Sequence, residues 1–138
     1  MGRILIVEDE DCVALSLQTR LEQKGISCMS VDNLESMWEE LEKSNSQENP
    51  DNTTSSIILD IMLPEKKDDM NINEEGGLIA LERLYKDYPT IPVIINTGRG
   101  DDACEAKAEK YKNVHAFYRK PATRSIMEDV NSILNPPS

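Results

Sequence analysis

The sequence predicts a doubly wound α/β domain on a parallel sheet, and two observations carry that expectation. Short uninterrupted apolar runs, ILIV (4–7), SIILDI (56–61) and IPVII (91–95), alternate with segments of helical periodicity. Runs of this kind suit strands buried on both faces, as in a sheet covered by helices on each side. In addition, polar residues recur just past the C-terminal ends of those runs, the edge where open parallel sheets place their ligands.

Taken in order, ILIV is the first strand. Residues 11 to 24 place Val13, Leu17 and Leu21 at four-residue spacing, with Gly25 as a stop, and so predict the first helix. ISCMSV (26–31) is less uniformly apolar and reads as a strand nearer an edge. Asp32 followed by Glu35 resembles a capping box, with Asp32 as the cap, ahead of a helix through about Lys43. SNSQENPDNTTSS (44–56) is polar and aperiodic, which predicts a long surface loop. SIILDI is the third strand. Leu78, Leu81, Leu84 and Tyr85 mark a third helix that stops at the Tyr88-Pro89 step. IPVII is the fourth strand, and residues 101 to 110 form a weaker helix rich in Ala and charge. NVHAFY (113–118) reads as a second edge-like strand. Ile126, Val130, Ile133 and Leu134 then build a closing helix ended by Pro136 and Pro137. Five strands alternating with five helices give the doubly wound architecture, as one domain over 1–138 with extended loops at about 44–56 and 64–76.

Composition narrows the function. The formal net charge is −11, from 15 Lys+Arg against 26 Asp+Glu. A chain of this sign is repelled by nucleic acid and by anionic membrane, so direct nucleic-acid binding is not expected. No apolar run reaches membrane-spanning length, and MGRILIVEDE turns acidic too early for a signal peptide. Ile6 breaks the myristoylation pattern. Three cysteines, Cys12, Cys28 and Cys104, without close pairing suit reduced thiols and a cytoplasmic location. The single histidine, His115, has no Cys or His at ligand spacing, which argues against zinc.

The residues past the strands have a chemistry in common. Glu8 and Asp9 follow ILIV, Asp60 follows IIL, Thr97 follows IPVIIN, and Lys120 follows the last strand by two residues. Taken singly, an acid after a strand is more often a helix cap, and Asp9, Glu10 or Asp11 could cap the first helix. Brought together, three carboxylates repel one another unless a cation is present. An all-oxygen set of this kind suits a hard divalent ion such as Mg²⁺, with Mn²⁺ as an alternative. A lysine and a hydroxyl beside it would complete a site for a tetrahedral anion, and the natural reaction is phosphoryl transfer to a carboxylate.

With ILIVEDE, IILDIMLP, IPVIINTG and FYRKP in this order, the chain resembles a response-regulator receiver domain of two-component signalling over nearly its whole length. The resemblance implies a flavodoxin-like fold with strand order 2-1-3-4-5. It implies Asp60 as phospho-acceptor, and Glu8, Asp9, Asp60 and the Met62 backbone carbonyl as Mg²⁺ ligands. Thr97 takes the place of the switch hydroxyl, Lys120 that of the pairing lysine and Phe117 that of the aromatic switch. Pro121 stands where the family often uses a cis peptide. The donor implied is a histidine kinase or histidine phosphotransfer protein. The output face implied is helix 4–strand 5–helix 5, engaging a downstream protein target.

Departures from the family pattern also stand out. Glu8 occupies a position where Asp is commonest, and its longer side chain is expected to reach the metal through water. Gly98 after Thr97 predicts open access to the phosphoryl group, and Arg99 follows it. Gly76 and Gly77 come sixteen and seventeen residues after Asp60, later than in the family, so EKKDDMNINEE contains an insertion. Asp69, Asn71 and Asn73 mimic a calcium loop, but Glu74 replaces its turn glycine and Ala80 its bidentate glutamate. A solvated insertion that tunes partner choice or access is the preferred reading.

Alternative functions are a receiver half of a larger transcriptional regulator, a degenerate receiver that only binds, and an aspartate-nucleophile phosphohydrolase. The last normally needs a second acid where Met62 stands. The closing Pro-Pro-Ser and the Met1 start favour a complete, stand-alone chain. Residues 99 to 124 hold seven of the fifteen basic residues against four acids, predicting a docking face for an acidic or phosphorylated partner.

Overall fold

The computed structural model describes residues 2–45, 53–64, 76–98 and 102–136. Within them the elements run β1 (Arg3–Val7), α1 (Asp11–Gln23), β2 (Cys28–Val31), α2 (Leu34–Asn45), β3 (Thr54–Leu59), α3 (Gly76–Asp87), β4 (Val93–Thr97), α4 (Asp102–Glu109), β5 (Val114–Arg119) and α5 (Thr123–Leu134). The five strands form one parallel sheet in the order β2-β1-β3-β4-β5. This is the flavodoxin-like arrangement of five strands and five helices. The two weakly apolar strands, β2 and β5, are the sheet edges, as their mixed composition predicts.

Alternation along the central strands sends successive side chains into two separate cores. Leu5, Val7, Ile57, Leu59, Val93 and Ile95 pack with α2, α3 and α4 on one face. Ile4, Ile6, Ile58 and Ile94 pack with α1 and α5 on the other. Every one of these residues is almost fully buried, which explains why the runs are continuously apolar rather than alternating.

Several expected boundaries move. Ser44 belongs to α2 and Thr54 to Ser56 belong to β3, so the 44–56 loop is shorter at both ends; residues 46–52 lie outside the described residues. Ser44 and Ser56 are polar in sequence, but each finds a partner inside the fold. The Ser44 hydroxyl donates to the Glu40 carbonyl at 2.7 Å, and that of Ser56 donates to the Pro92 carbonyl at 3.0 Å. Asn33, not Asp32, caps α2, because its Oδ1 accepts from Ser36 N at 2.8 Å while its Nδ2 donates to Asp32 Oδ1 at 2.6 Å. Glu10 holds the N-cap position of α1 with no side-chain cap bond.

α1 ends in a Schellman motif: Ile26 N donates to Leu21 O and Gly25 N to Glu22 O, each at 2.9 Å. Gly25 sits there at φ +74°, where a Cβ is disfavoured. Gly25→Ala is expected to cost about 1 kcal/mol, read by urea denaturation, with its slope unchanged.

α5 is tied to β5 by a polar contact as well as by Ile126 and Val130. The Tyr118 hydroxyl donates to Asp129 Oδ2, and His115 Nε2 lies 3.8 Å from Asp129 Oδ1. The hydrogen bond to the Asp129 carboxylate, with burial and negative charge adding to it, pushes the Tyr118 phenol up to about 12. The folded state thus favours the protonated phenol. Its contribution to stability is complete below the ordinary tyrosine value of about 10 and is lost as pH rises through about 12. An alkaline titration of tyrosinate absorbance should show a late phase that Tyr118→Phe removes; a late phase surviving that change would refute the assignment.

Candidate functional site

The chain reverses direction across the sheet between β1 and β3, since β1 has β2 on one side and β3 on the other. A crevice at the C-terminal edge follows from that topology. Glu8 and Asp9 leave β1 into it, Asp60 leaves β3, Thr97 closes β4, and Lys120 follows β5. Residues separated by up to 112 positions (8 to 120) are thereby assembled on one edge.

The Lys120 ammonium stands at the centre. Its Nζ lies 2.8 Å from Glu8 Oε1, 3.0 Å from Asp60 Oδ2 and 3.1 Å from Glu10 Oε1. Asp60 is held from the other side by Met62 N, which donates to its Oδ1 at 3.2 Å. Glu8 Oε2 accepts from Glu10 N at 3.2 Å. Asp60 and Glu8 are both buried, whereas Asp9 is half-buried. The Lys120 backbone N–H donates to the Thr97 carbonyl at 2.9 Å, and the Lys120-Pro121 peptide is cis.

Charge is unbalanced here. Burial raises the Glu8 carboxyl to about 8; the hydrogen bond from Lys120 opposes the rise and the Asp60 charge reinforces it. Asp9 is also raised, by burial first and then by the charge of Asp60. Burial alone would lower the Lys120 ammonium, but its hydrogen bonds to Glu8 and Asp60 prevail and hold it above the ordinary lysine value. One ammonium therefore serves more carboxylates than it can neutralise.

A cation would correct that imbalance. Carboxylate oxygens of Glu8, Asp9 and Asp60 all lie within 4.8 Å of one another, a hard oxygen set of the kind that suits a divalent ion retaining waters of its own. The donor set fits Mg²⁺. The Lys120–Glu8 contact shows that the longer Glu8 side chain reaches the lysine directly.

All five strand-end residues thus meet at one edge, Asp60 and Lys120 in direct contact. Thr97 is fully buried. Phe117 is half-buried against the α2–α3–α4 core, its Cα paired with that of Ile95. Among the described residues, a Cβ built at Gly98 meets nothing within 4 Å. Glu10, read in the sequence only as a helix cap, is a third partner of Lys120. No local signal could have found that contact, because the partners are 110 residues apart.

Gly77 is the second residue of the glycine pair that opens α3. A Cβ there would lie 2.5 Å from both the Asp60 carbonyl oxygen and Ile61 Cα, and Gly77 N donates to Ile61 O at 2.7 Å. The first turn of α3 thus rests directly on the backbone that carries Asp60. Gly77→Ala is expected to destabilise by about 1–3 kcal/mol despite the better helix propensity of alanine, visible as a lowered melting temperature. Residues 65–75, including Asp69, Asn71, Asn73 and Glu74, lie outside the described residues, as does Arg99.

Much of the basic excess of 99–124 is neutralised. Arg119 Nη2 lies 3.3 Å from Asp102 Oδ1 and 3.8 Å from Glu105 Oε1, and Arg124 Nε lies 3.6 Å from Glu128 Oε1. Lys120 turns into the site, while Lys110 and Lys112 are exposed. No helix among the described residues is long and apolar enough to cross a membrane.

Solved structures share this fold. A CheY-like response regulator receiver domain protein from Methanospirillum hungatei JF-1 superposes with a TM-score of 0.76 at 23% identity, over 97% of this chain and 94% of that one. A two-component response regulator from Clostridium difficile gives 0.75 at 22%, over 99% and 98%. The BeF3-activated receiver domain of DrrB, a Thermotoga maritima OmpR/PhoB homolog, gives 0.73 at 18%, over 97% of each chain. No curated protein matches the chain significantly. The sequence model for the response regulator receiver domain matches residues 4–131, nearly the whole length, and the chain belongs to that family.

Proposed function

We propose that this receiver accepts a phosphoryl group on Asp60 from a phosphohistidine donor, in a Mg²⁺-dependent reaction, and that the modification alters a partner-binding face. As a receiver it is a signalling domain of a two-component system rather than a conventional enzyme. In this reading residues 1–138 act as one stand-alone cytoplasmic switch, and the donor is a histidine kinase or a histidine phosphotransfer protein.

The observation that carries the reading is the contact of Lys120 Nζ with Asp60 Oδ2 at 3.0 Å, between the ends of two strands beside the acidic set. A carboxylate oxygen of Asp60 attacks phosphorus in line as the N–P bond of the phosphohistidine breaks. The bonding pair returns to the imidazole nitrogen, which the donor then protonates. Lys120 pairs with a phosphoryl oxygen, and the Thr97 hydroxyl donates to another. Glu8, Asp9, Asp60 and the Met62 carbonyl would hold Mg²⁺, which supplies positive charge against the phosphoryl oxygens. The nearby core lets Phe117 repack as Thr97 moves, so the added charge favours one of two packings of α4, β5 and α5. Hydrolysis of the acyl phosphate resets the switch.

The test is incubation with acetyl phosphate and Mg²⁺, followed by intact mass measurement and peptide mapping. A single hydroxylamine-labile phosphoryl adduct on the Asp60 peptide is expected, and none should form when Mg²⁺ is chelated beforehand. No adduct would reduce the protein to a binding module. For the output face, charge reversal at the exposed Lys110 and Lys112 should weaken docking of an acidic or phosphorylated partner. Unchanged binding of the cognate partner would count against that face.

A further inference from the structure

The three carboxylate partners of the Lys120 ammonium differ in depth. Glu8 and Asp60 lie inward of it, their side chains 2% and 4% exposed, whereas the Glu10 side chain is 63% exposed and stands on the solvent side. Glu10 holds the N-cap position of α1, where its carbonyl accepts from Val13 N at 3.1 Å and from Ala14 N at 3.0 Å, yet its carboxylate caps nothing. Glutamate is not among the residues that cap well. The carboxylate instead reaches Lys120 Nζ at 3.1 Å, across 110 positions of sequence. Its backbone N–H is engaged as well, donating to Glu8 Oε2 at 3.2 Å.

The three contacts have different fates when Asp60 takes a phosphoryl group. Among the described residues, the carboxylates close enough to share a divalent ion are Glu8, Asp9 and Asp60, and Glu10 is not one of them. Glu8 and Asp60 can give up Lys120 for the ion, and Asp60 gains phosphoryl oxygens that pair with the lysine in its place. Glu10 acquires no such counter-charge and forms no new bond. It stays beside the ammonium that the phosphoryl group needs, on the side from which an anion arrives. An ion pair as exposed as this one is weak, so it can be exchanged.

We propose that Glu10 is a positioning residue that competes with the incoming phosphoryl group for Lys120 and thereby slows phosphoryl uptake at Asp60. The inference rests on the phosphorylation reading. In the exchange, the hydrogen bond from Lys120 Nζ to Glu10 Oε1 is replaced by one to a phosphoryl oxygen. The lysine keeps its proton, and Glu10 makes no covalent bond.

The test compares the full chain with Glu10→Ala and Glu10→Asp, measuring initial rates of uptake from acetyl phosphate in excess Mg²⁺. Glu10→Ala should be roughly threefold faster than the parent, the scale of one exposed ion pair. Aspartate keeps the charge, but it is one methylene shorter and caps helices well, so Glu10→Asp should be faster too. A second readout needs no phosphodonor: ¹⁵N NMR of the lysine ammonium groups in Mg²⁺, with the Lys120 signal assigned by its loss in Lys120→Met. That signal should move in both Glu10 variants, which a merely structural role at the start of α1 would not produce. Acceleration in Glu10→Ala with Glu10→Asp at the parent rate, or an unmoved Lys120 signal, would overturn the proposal. Normal uptake by the parent, with variants no faster, would overturn this inference alone. No uptake by the parent would overturn the phosphorylation reading and this inference with it.

Discussion

Asp60→Asn should eliminate phosphoryl uptake from acetyl phosphate while leaving the protein folded. Asparagine keeps the shape of aspartate and an oxygen that can accept from Met62 N, so the 3.2 Å contact survives. It lacks the carboxylate nucleophile, and no other group in the cluster is placed identically at the end of β3. The substitution also removes one negative charge from a crowded set. Because the Asp60 charge helps to raise Glu8, the Glu8 carboxyl should fall from about 8 toward the ordinary carboxylate range. A raised carboxyl favours the folded state when protonated; that contribution is complete below the ordinary glutamate value of 4.5 and is lost as pH rises through about 8. In Asp60→Asn this loss should shrink, so variant and parent should diverge most at alkaline pH, the variant being the less penalised. Carboxyl-detected NMR titration and melting curves across pH measure both effects. An adduct that persists in Asp60→Asn would overturn the acceptor assignment.

Lys120→Met should be nearly as severe and should also touch the fold. Methionine matches the lysine stem but supplies no donor, so Glu8 and Asp60 lose contacts of 2.8 and 3.0 Å at once. Breaking a buried ion pair by removing one partner costs about 3 kcal/mol at alkaline pH, since the remaining charges stay out of water. The cost should diminish below the Glu8 value of about 8, where that carboxyl takes up a proton and ceases to need a counter-charge. Mg²⁺ should restore part of the lost stability by binding the folded state alone. Lys120→Arg, which keeps the charge, should lose less. Equal destabilisation at acid and alkaline pH would show that Lys120 acts by packing rather than by charge.

Much of this was readable before any coordinates. Continuous apolar runs such as ILIV and IPVII identify strands covered on both faces, because water contacts neither side of them. Their C-terminal ends point to Glu8, Asp9, Asp60, Thr97 and Lys120, because a parallel sheet presents all those ends at one edge. Boundaries were less legible where polar residues are satisfied by partners inside the fold. Ser44 reads as loop until its hydroxyl is seen to donate to the Glu40 carbonyl, and Asp32 reads as a cap until Asn33 is seen in that role.

Sequence alone determined the family, the strand order that the family implies and the set of residues to bring together. These follow from local periodicity and from ordered motifs, which the chain carries along its length. Tertiary structure decided how the charges are shared: that Lys120 serves Glu10 as well as Glu8 and Asp60, and that Gly77 must lack a Cβ to rest on the Asp60 backbone. Each depends on a distance between residues far apart in the chain, set only when the two faces of the sheet are packed.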